Sequence, residues 1–184
     1  NLLGISQSGH ISAVGYELYT ELMEKTIREI KGEKIEEEEF MPEIQMGISA
    51  FIPEDYVQDV HQRLVLYKRI SLLGNDEEIH TMKNELQDCY GEMPSPVDNL
   101  LRVIRMKNNL KPLKGKKMGY DGKYLYVFFR DDSPIDLSKI MALYRKKIKD
   151  LRFTPDYELF YPVSSLSEND ILNQADMLLK ILAQ

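Results

Sequence analysis

His10, His61 and His80 sit on three separate segments, and none belongs to an HExxH-type pattern that would aim two ring nitrogens at one metal ion. Each is expected to be an ordinary, partly exposed histidine. Cys89 is the single cysteine, so no intramolecular disulfide can form, and no basic neighbour is placed to stabilise its thiolate. Beside Leu86 and Tyr90 it is expected as a core or boundary thiol. Asp131-Asp132 lacks the Glu-x-Lys companion of a metal-dependent nuclease strand, and no GxxxxGK or GxGxxG loop is present to cradle a phosphate. These residues assemble no catalytic constellation: no enzymatic activity, cofactor or metal is expected of this chain itself.

Two charge features remain. Arg102, Arg105, Lys107, Lys111, Lys114, Lys116, Lys117 and Lys123 are opposed within their stretch only by Asp121, and Arg145, Lys146, Lys147, Lys149 and Arg152 form a second group. Gathered on one surface they would neutralise phosphates; otherwise they are a solvated rim whose cations favour helix C-termini. The other feature is acidic. Glu85 and Asp88, three residues apart on a predicted helix, lie about 60° apart around its axis. Both fall opposite the stripe Ile79, Met82, Leu86, Tyr90 and near Glu77, Glu78 and Thr81. Such a face is either simply hydrated or suited to a basic partner through steering and charge-assisted bonds.

The elements that must position these groups follow from periodicity. Ile11, Val14, Leu18, Leu22 and then Thr26 or Ile27 predict a helix over 8–31, stopped by Gly32. Glu36 to Glu39 are four consecutive carboxylates that repel one another, so 33–42 reads as an acidic linker. Alternation of Ile44, Met46, Ile48 and Ala50 with polar or small residues predicts a strand over 43–52. Pro53 then opens a predicted helix buried through Tyr56, Val60, Leu64, Tyr67 and Leu72 or Ile70, in which Asp59 and Arg63 support each other one turn apart. Asn75 caps the helix that carries Glu85 and Asp88, and Gly91 ends it. A third helix spans 96–109.

Beyond it, Asp121-Gly122 is the centre of a predicted hairpin whose second strand is Tyr124 to Phe129. A helix over 135–149 uses Leu137, Ile140, Met141, Leu143 or Tyr144, and Ile148. A strand region over 152–161 is interrupted at Pro155. A last helix starts at Ser167, with Leu166 stapled onto Ile171. The order predicts an α+β domain with a small, mostly antiparallel sheet and several packed helices.

The chain has 184 residues, 43% hydrophobic and 29% charged, enough for one domain plus a short extra element. A formal net charge of -6 argues against a dedicated nucleic-acid binder. No apolar run approaches the roughly 18 residues of a membrane helix, and the start lacks a signal-peptide pattern, so a cytoplasmic protein is expected. Asn1-Leu2-Leu3-Gly4 opens as if cut from a longer chain.

Certain residues carry a resemblance. Asn1-Leu2-Leu3-Gly4, Gln7-Ser8-Gly9-His10 and Val14-Gly15-Tyr16-Glu17-Leu18-Tyr19 resemble the segment closing the translocase motor of bacterial transcription-repair coupling factors. Ile52-Pro53-x-x-Tyr56-x-x-Asp59-Val60-x-x-Arg63-Leu64-x-x-Tyr67-Lys68-Arg69-Ile70 resembles the opening of that family's C-terminal domain. Glu85-Leu86-x-Asp88-x-Tyr90-Gly91-x-x-Pro94-x-Pro96 continues it. Beyond Leu113 the likeness is of general organisation.

The resemblance implies that 1–32 are the tail of the motor, 33–42 the linker and 43–184 the regulatory domain. It places Gln7 in the translocation motif, whose arginine companion and ATP-binding motifs would lie upstream of Asn1. ATP and Mg would then serve the full-length motor, an ATP-dependent DNA translocase of helicase superfamily two, and not this chain. It implies further that the C-terminal domain clamps an excinuclease-B-like N-terminal module, masks the surface that recruits UvrA, and restrains the motor on duplex DNA until RNA polymerase is engaged. Glu85 and Asp88 match the family's acidic positions at that contact. The alternative is a nucleic-acid contact through the basic 102–123 stretch.

Overall fold

The structure is a computed structural model and describes Met23, Thr26, Ile27, Ile30 and residues 41–164 and 167–183. Its helices are α1 (Val60–Ser71), α2 (Asp76–Tyr90), α3 (Ser95–Leu110), α4 (Leu137–Arg145) and α5 (Glu168–Ala183). Its strands are β1 (Glu43–Gln45), β2 (Gly115–Tyr120), β3 (Tyr124–Phe129), β4 (Arg152–Phe153) and β5 (Glu158–Pro162). The described residues gather into two compact units, one built on Ser49–Arg105 and the other on 41–48 with 106–183. Met23, Thr26, Ile27 and Ile30 are helical, within the range predicted for the first helix. The rest of that helix, the linker run Glu33 to Glu39 and the Leu166 staple lie outside the described residues.

In the first unit, Pro53 does not start α1. Its carbonyl accepts from the N–H groups of Tyr56 (3.1 Å) and Val57 (3.2 Å), closing a separate turn. The chain then extends at Asp59, whose carboxylate accepts from the Gln62 N–H at 3.0 Å and caps the true helix. The buried face of α1 is Arg63, Leu66, Tyr67 and Ile70 instead of the Val60–Leu64 stripe, and Leu72, past the helix end, is 65% exposed. α2 begins as predicted: Asn75 accepts from the Glu78 N–H (2.9 Å), while the Glu78 carboxylate accepts from the Gly74 N–H (2.6 Å). Gly91, with φ at 88°, closes it. Ile79, Met82 and Leu86 are its buried stripe.

The second unit is a five-stranded mixed sheet in the order β1-β2-β3-β5-β4, in which β1 runs parallel to β2 and the other pairings are antiparallel. Burial alternates along β3, with Leu125, Val127 and Phe129 in the core. The hairpin turn is displaced by one residue from the predicted centre. Asp121 and Tyr124 pair across it, Gly122 (φ 97°) and Lys123 are its middle, and the Asp121 carboxylate accepts from the N–H groups of Lys123 (2.9 Å) and Tyr124 (2.7 Å). β1 is shorter than the alternation suggested because the backbone turns to a φ of 65° at Gly47. The strand region expected to be interrupted at Pro155 is indeed divided there, into the antiparallel pair β4 and β5. α5 packs Leu172, Ala175, Leu178, Leu179 and Leu182, as its spacing requires. The result is an α+β fold with five α-helices from Val60 onward among the described residues.

Candidate protein interface

The residues of the Ile52-to-Ile70 motif turn out to be the framework for α2. The Tyr67 hydroxyl accepts from the Ile52 N–H at 2.7 Å. Arg63, only 7% exposed, donates to the carbonyls of Val57 (2.6 Å) and Gln58 (3.0 Å), locking the turn before α1. It does not brace Asp59, as the one-turn spacing suggested, because Asp59 is occupied as the cap. The Tyr56 hydroxyl lies 3.1 Å from the carbonyls of Leu86 and Gly91, at the C-terminal end of α2. Its ring packs 5.7 Å from that of Tyr90, whose hydroxyl donates to Gln62 at 3.2 Å.

Arg69 completes the frame. Its Nη1 and Nη2 donate to Glu85 Oε1 and Oε2 at 2.7 and 2.6 Å, a bidentate fork between α1 and α2. Hydrogen bonding from the guanidinium holds the Glu85 carboxyl below its usual range, and the same bond raises Arg69. Both side chains remain in contact with water, 44% and 41% exposed. Together with Leu73, Thr81 and Met82 they wall a groove rimmed by Glu77 and Glu78. Asp88, one turn beyond Glu85, is exposed and stands in no ion pair among the described residues. Among the described residues, the outer face of α2 therefore presents Glu77 and Asp88 without an ion pair and Glu85 already engaged. Reading α2 alone could not find this, since Arg69 lies on the preceding helix and no single-helix periodicity links the two.

The other candidates are dispersed. Arg102 and Arg105 belong to the first unit, whereas Lys107, Lys111, Lys114, Lys116 and Lys117 belong to the second. Arg105 pairs with Asp76 at 3.1 Å, Lys114 with Asp132 at 2.8 Å, and Lys107 is buried. Lys111 and Lys116 are exposed. Cys89 is exposed, not a core thiol, because it lies between the buried stripe and the outer face of α2. His61 and His80 are exposed on different helices, and among the described residues no group of three His, Cys, Asp or Glu side chains could hold a metal ion. Among the same residues no helix is long and apolar enough to cross a membrane. Gln7 and His10 lie outside the described residues.

A two-unit α+β chain whose first unit is a braced helix pair with an acidic outer face is the class of protein defined so far. Its fold is similar to a crystal structure of the C-terminal domain of a transcription-repair coupling factor, with a TM-score of 0.65 and 21% identity over 77% of this chain and 94% of that one. Residues 46–140 match the family model of the TRCF domain. Along its full length the chain is 34% identical to the transcription-repair-coupling factor of Myxococcus xanthus and 35% identical to that of Rickettsia conorii. It spans only 15% and 16% of the length of those two relatives. The chain belongs to the TRCF domain family, the family of the transcription-repair coupling factors.

Proposed function

We propose that this chain is a non-catalytic regulatory domain of a cytoplasmic transcription-coupled repair translocase, clamping the excinuclease-B-like N-terminal module. In the closed state the clamp masks the surface that recruits UvrA and restrains the motor until RNA polymerase is engaged. ATP and Mg serve that motor, and Gln7 its translocation motif; neither is assigned to the domain described above.

The observation that carries the reading is the outer face of α2, where Asp88 stands in no ion pair among the described residues, near a Glu85 held by an exposed arginine. A clamp that must release is suited by exposed charge pairs, each contributing about 0.2–1 kcal/mol. Calorimetric titration of the chain with the separately purified N-terminal module at low salt is the test. Binding that weakens with salt and is lost in Glu85→Lys/Asp88→Lys supports the reading. Binding indifferent to both changes would move the contact off α2.

A nucleic-acid contact through 102–123 has less in its favour, because Arg105 and Lys114 are in ion pairs and Lys107 is buried. Salt-dependent binding of duplex DNA to the isolated chain would restore it.

A further inference from the structure

The second unit carries an exposed surface apart from the α2 face. α4 buries Ile140 and Leu143, yet Leu137, Met141 and Tyr144, at i, i+4 and i+7, are 50%, 54% and 42% exposed. This corrects the expectation that Leu137 and Met141 belong to the core, while of the pair Leu143 or Tyr144 it is Leu143 that is buried; α4 ends at Arg145 instead of reaching Lys149, and its packed face is a narrow one. A stripe of three large apolar side chains at helical spacing, left in water, is burial that a partner can recover. The stripe is held in place, since the Tyr144 hydroxyl accepts from the Phe153 N–H at 2.7 Å.

Immediately after the stripe the chain becomes cationic. Arg145, Lys146, Lys147 and Lys149 are all exposed, and none is in an ion pair among the described residues. Asp150, the one acid among them, lies 4.0 Å from Lys123. This local positive charge stands against a net charge of -6 for the whole chain. The backbone that displays it is unusual. Lys147 and Asp150 have φ of 53° and 65°, a region that costs a side-chain-bearing residue energy, and the turn is tied by hydrogen bonds from Lys147 N–H to the Tyr144 carbonyl (3.0 Å) and from Leu151 N–H to the Ile148 carbonyl (3.3 Å).

We propose that the Leu137–Met141–Tyr144 stripe and the cations that follow it form a docking site for an acidic amphipathic helix of a partner protein. The helical spacing of the apolar residues calls for apolar anchors at matching spacing in the partner. The unpaired cations call for carboxylates beside those anchors. A nucleic acid would satisfy the cations and leave Leu137 and Met141 in water, which is why a polypeptide is the better fit. The site involves no residue of α2.

Fluorescence anisotropy of a labelled synthetic helix, with leucines at i, i+4 and i+7 and flanking glutamates, tests this with the full 184-residue chain. Saturable binding is expected, weakened about tenfold by Met141→Glu and comparably by Arg145→Glu/Lys149→Glu. Circular dichroism melting confirms that each variant stays folded; Met141→Ala serves if Met141→Glu does not. Equal binding of a scrambled peptide of the same composition would overturn the proposal, reducing the site to bulk charge. So would tighter binding of a labelled oligothymidylate that Met141→Glu leaves unchanged, which would make the patch a phosphate contact.

Discussion

Replacing Arg69 and Glu85 by alanine, singly and together, gives a double-mutant cycle that isolates the fork between α1 and α2. Its two bonds are short, 2.7 and 2.6 Å, but the side chains are 44% and 41% exposed, so water screens the attraction. Exposed pairs contribute about 0.2–1 kcal/mol, and the bidentate geometry puts this one near the upper end. Urea unfolding at neutral pH and low salt is expected to give a coupling energy of about 0.5–1 kcal/mol, reduced at high salt. The pH dependence has a definite sign. Folding lowers the Glu85 value, so the contribution is fully present above the ordinary carboxyl value of about 4.3 and is lost as pH falls through the lowered one. A coupling below about 0.2 kcal/mol, or one indifferent to acid and salt, would refute the charge-based account of the fork. Binding adds a second reading. If a partner cation must displace Arg69, Arg69→Ala strengthens binding to the N-terminal module by up to about fivefold, the equivalent of about 1 kcal/mol. Weaker binding would instead place Arg69 inside the contact.

Three further outcomes follow from the geometry. Asn75→Ala removes the acceptor for the Glu78 N–H and is expected to destabilise by about 1 kcal/mol in urea unfolding, with Asn75→Asp near neutral. Arg63→Met keeps bulk but strips the donor from the Val57 and Gln58 carbonyls, costing about 1–3 kcal/mol; a neutral result would show that water replaces the guanidinium. At Gly119 an added Cβ would run into the ring of Tyr126 and the Gln45 carbonyl, so Gly119→Ala is expected to cost about 1–3 kcal/mol and to free β1 first, visible as faster amide exchange at Ile44.

Much of this architecture was legible because local signals agreed with tertiary demands. Asn75 and Ser167 cap the helices that their positions predict, and Gly91 ends α2. Errors arose where two local signals competed. Pro53 with two following acids mimics a helix start, but the capping side chain is Asp59, so the helix begins at Val60. α4 shows the other failure: Leu137, Met141 and Tyr144 satisfy helical periodicity, and periodicity says nothing about whether a packing surface exists. The acidic face was visible in the spacing of Glu85 and Asp88, whereas the arginine holding Glu85 is sixteen residues away on another helix. Contacts made through a turn are set by three-dimensional packing and leave no periodic trace.

The parallel pairing of β1 with β2 matters for how the molecule forms. Glu43 meets Lys117 across about seventy residues of sequence, a long loop to close for a three-residue strand. The intervening first unit zips its own ends together, with the Phe51 N–H on the Pro96 carbonyl at 3.2 Å and the Asn99 amide on the Ser49 carbonyl at 3.0 Å. Once it has folded, the effective loop shrinks to fewer than half as many residues, lowering the closure entropy by about 1 kcal/mol. The loop-closure argument therefore favours β1 joining last, as a latch that a finished insert brings within reach.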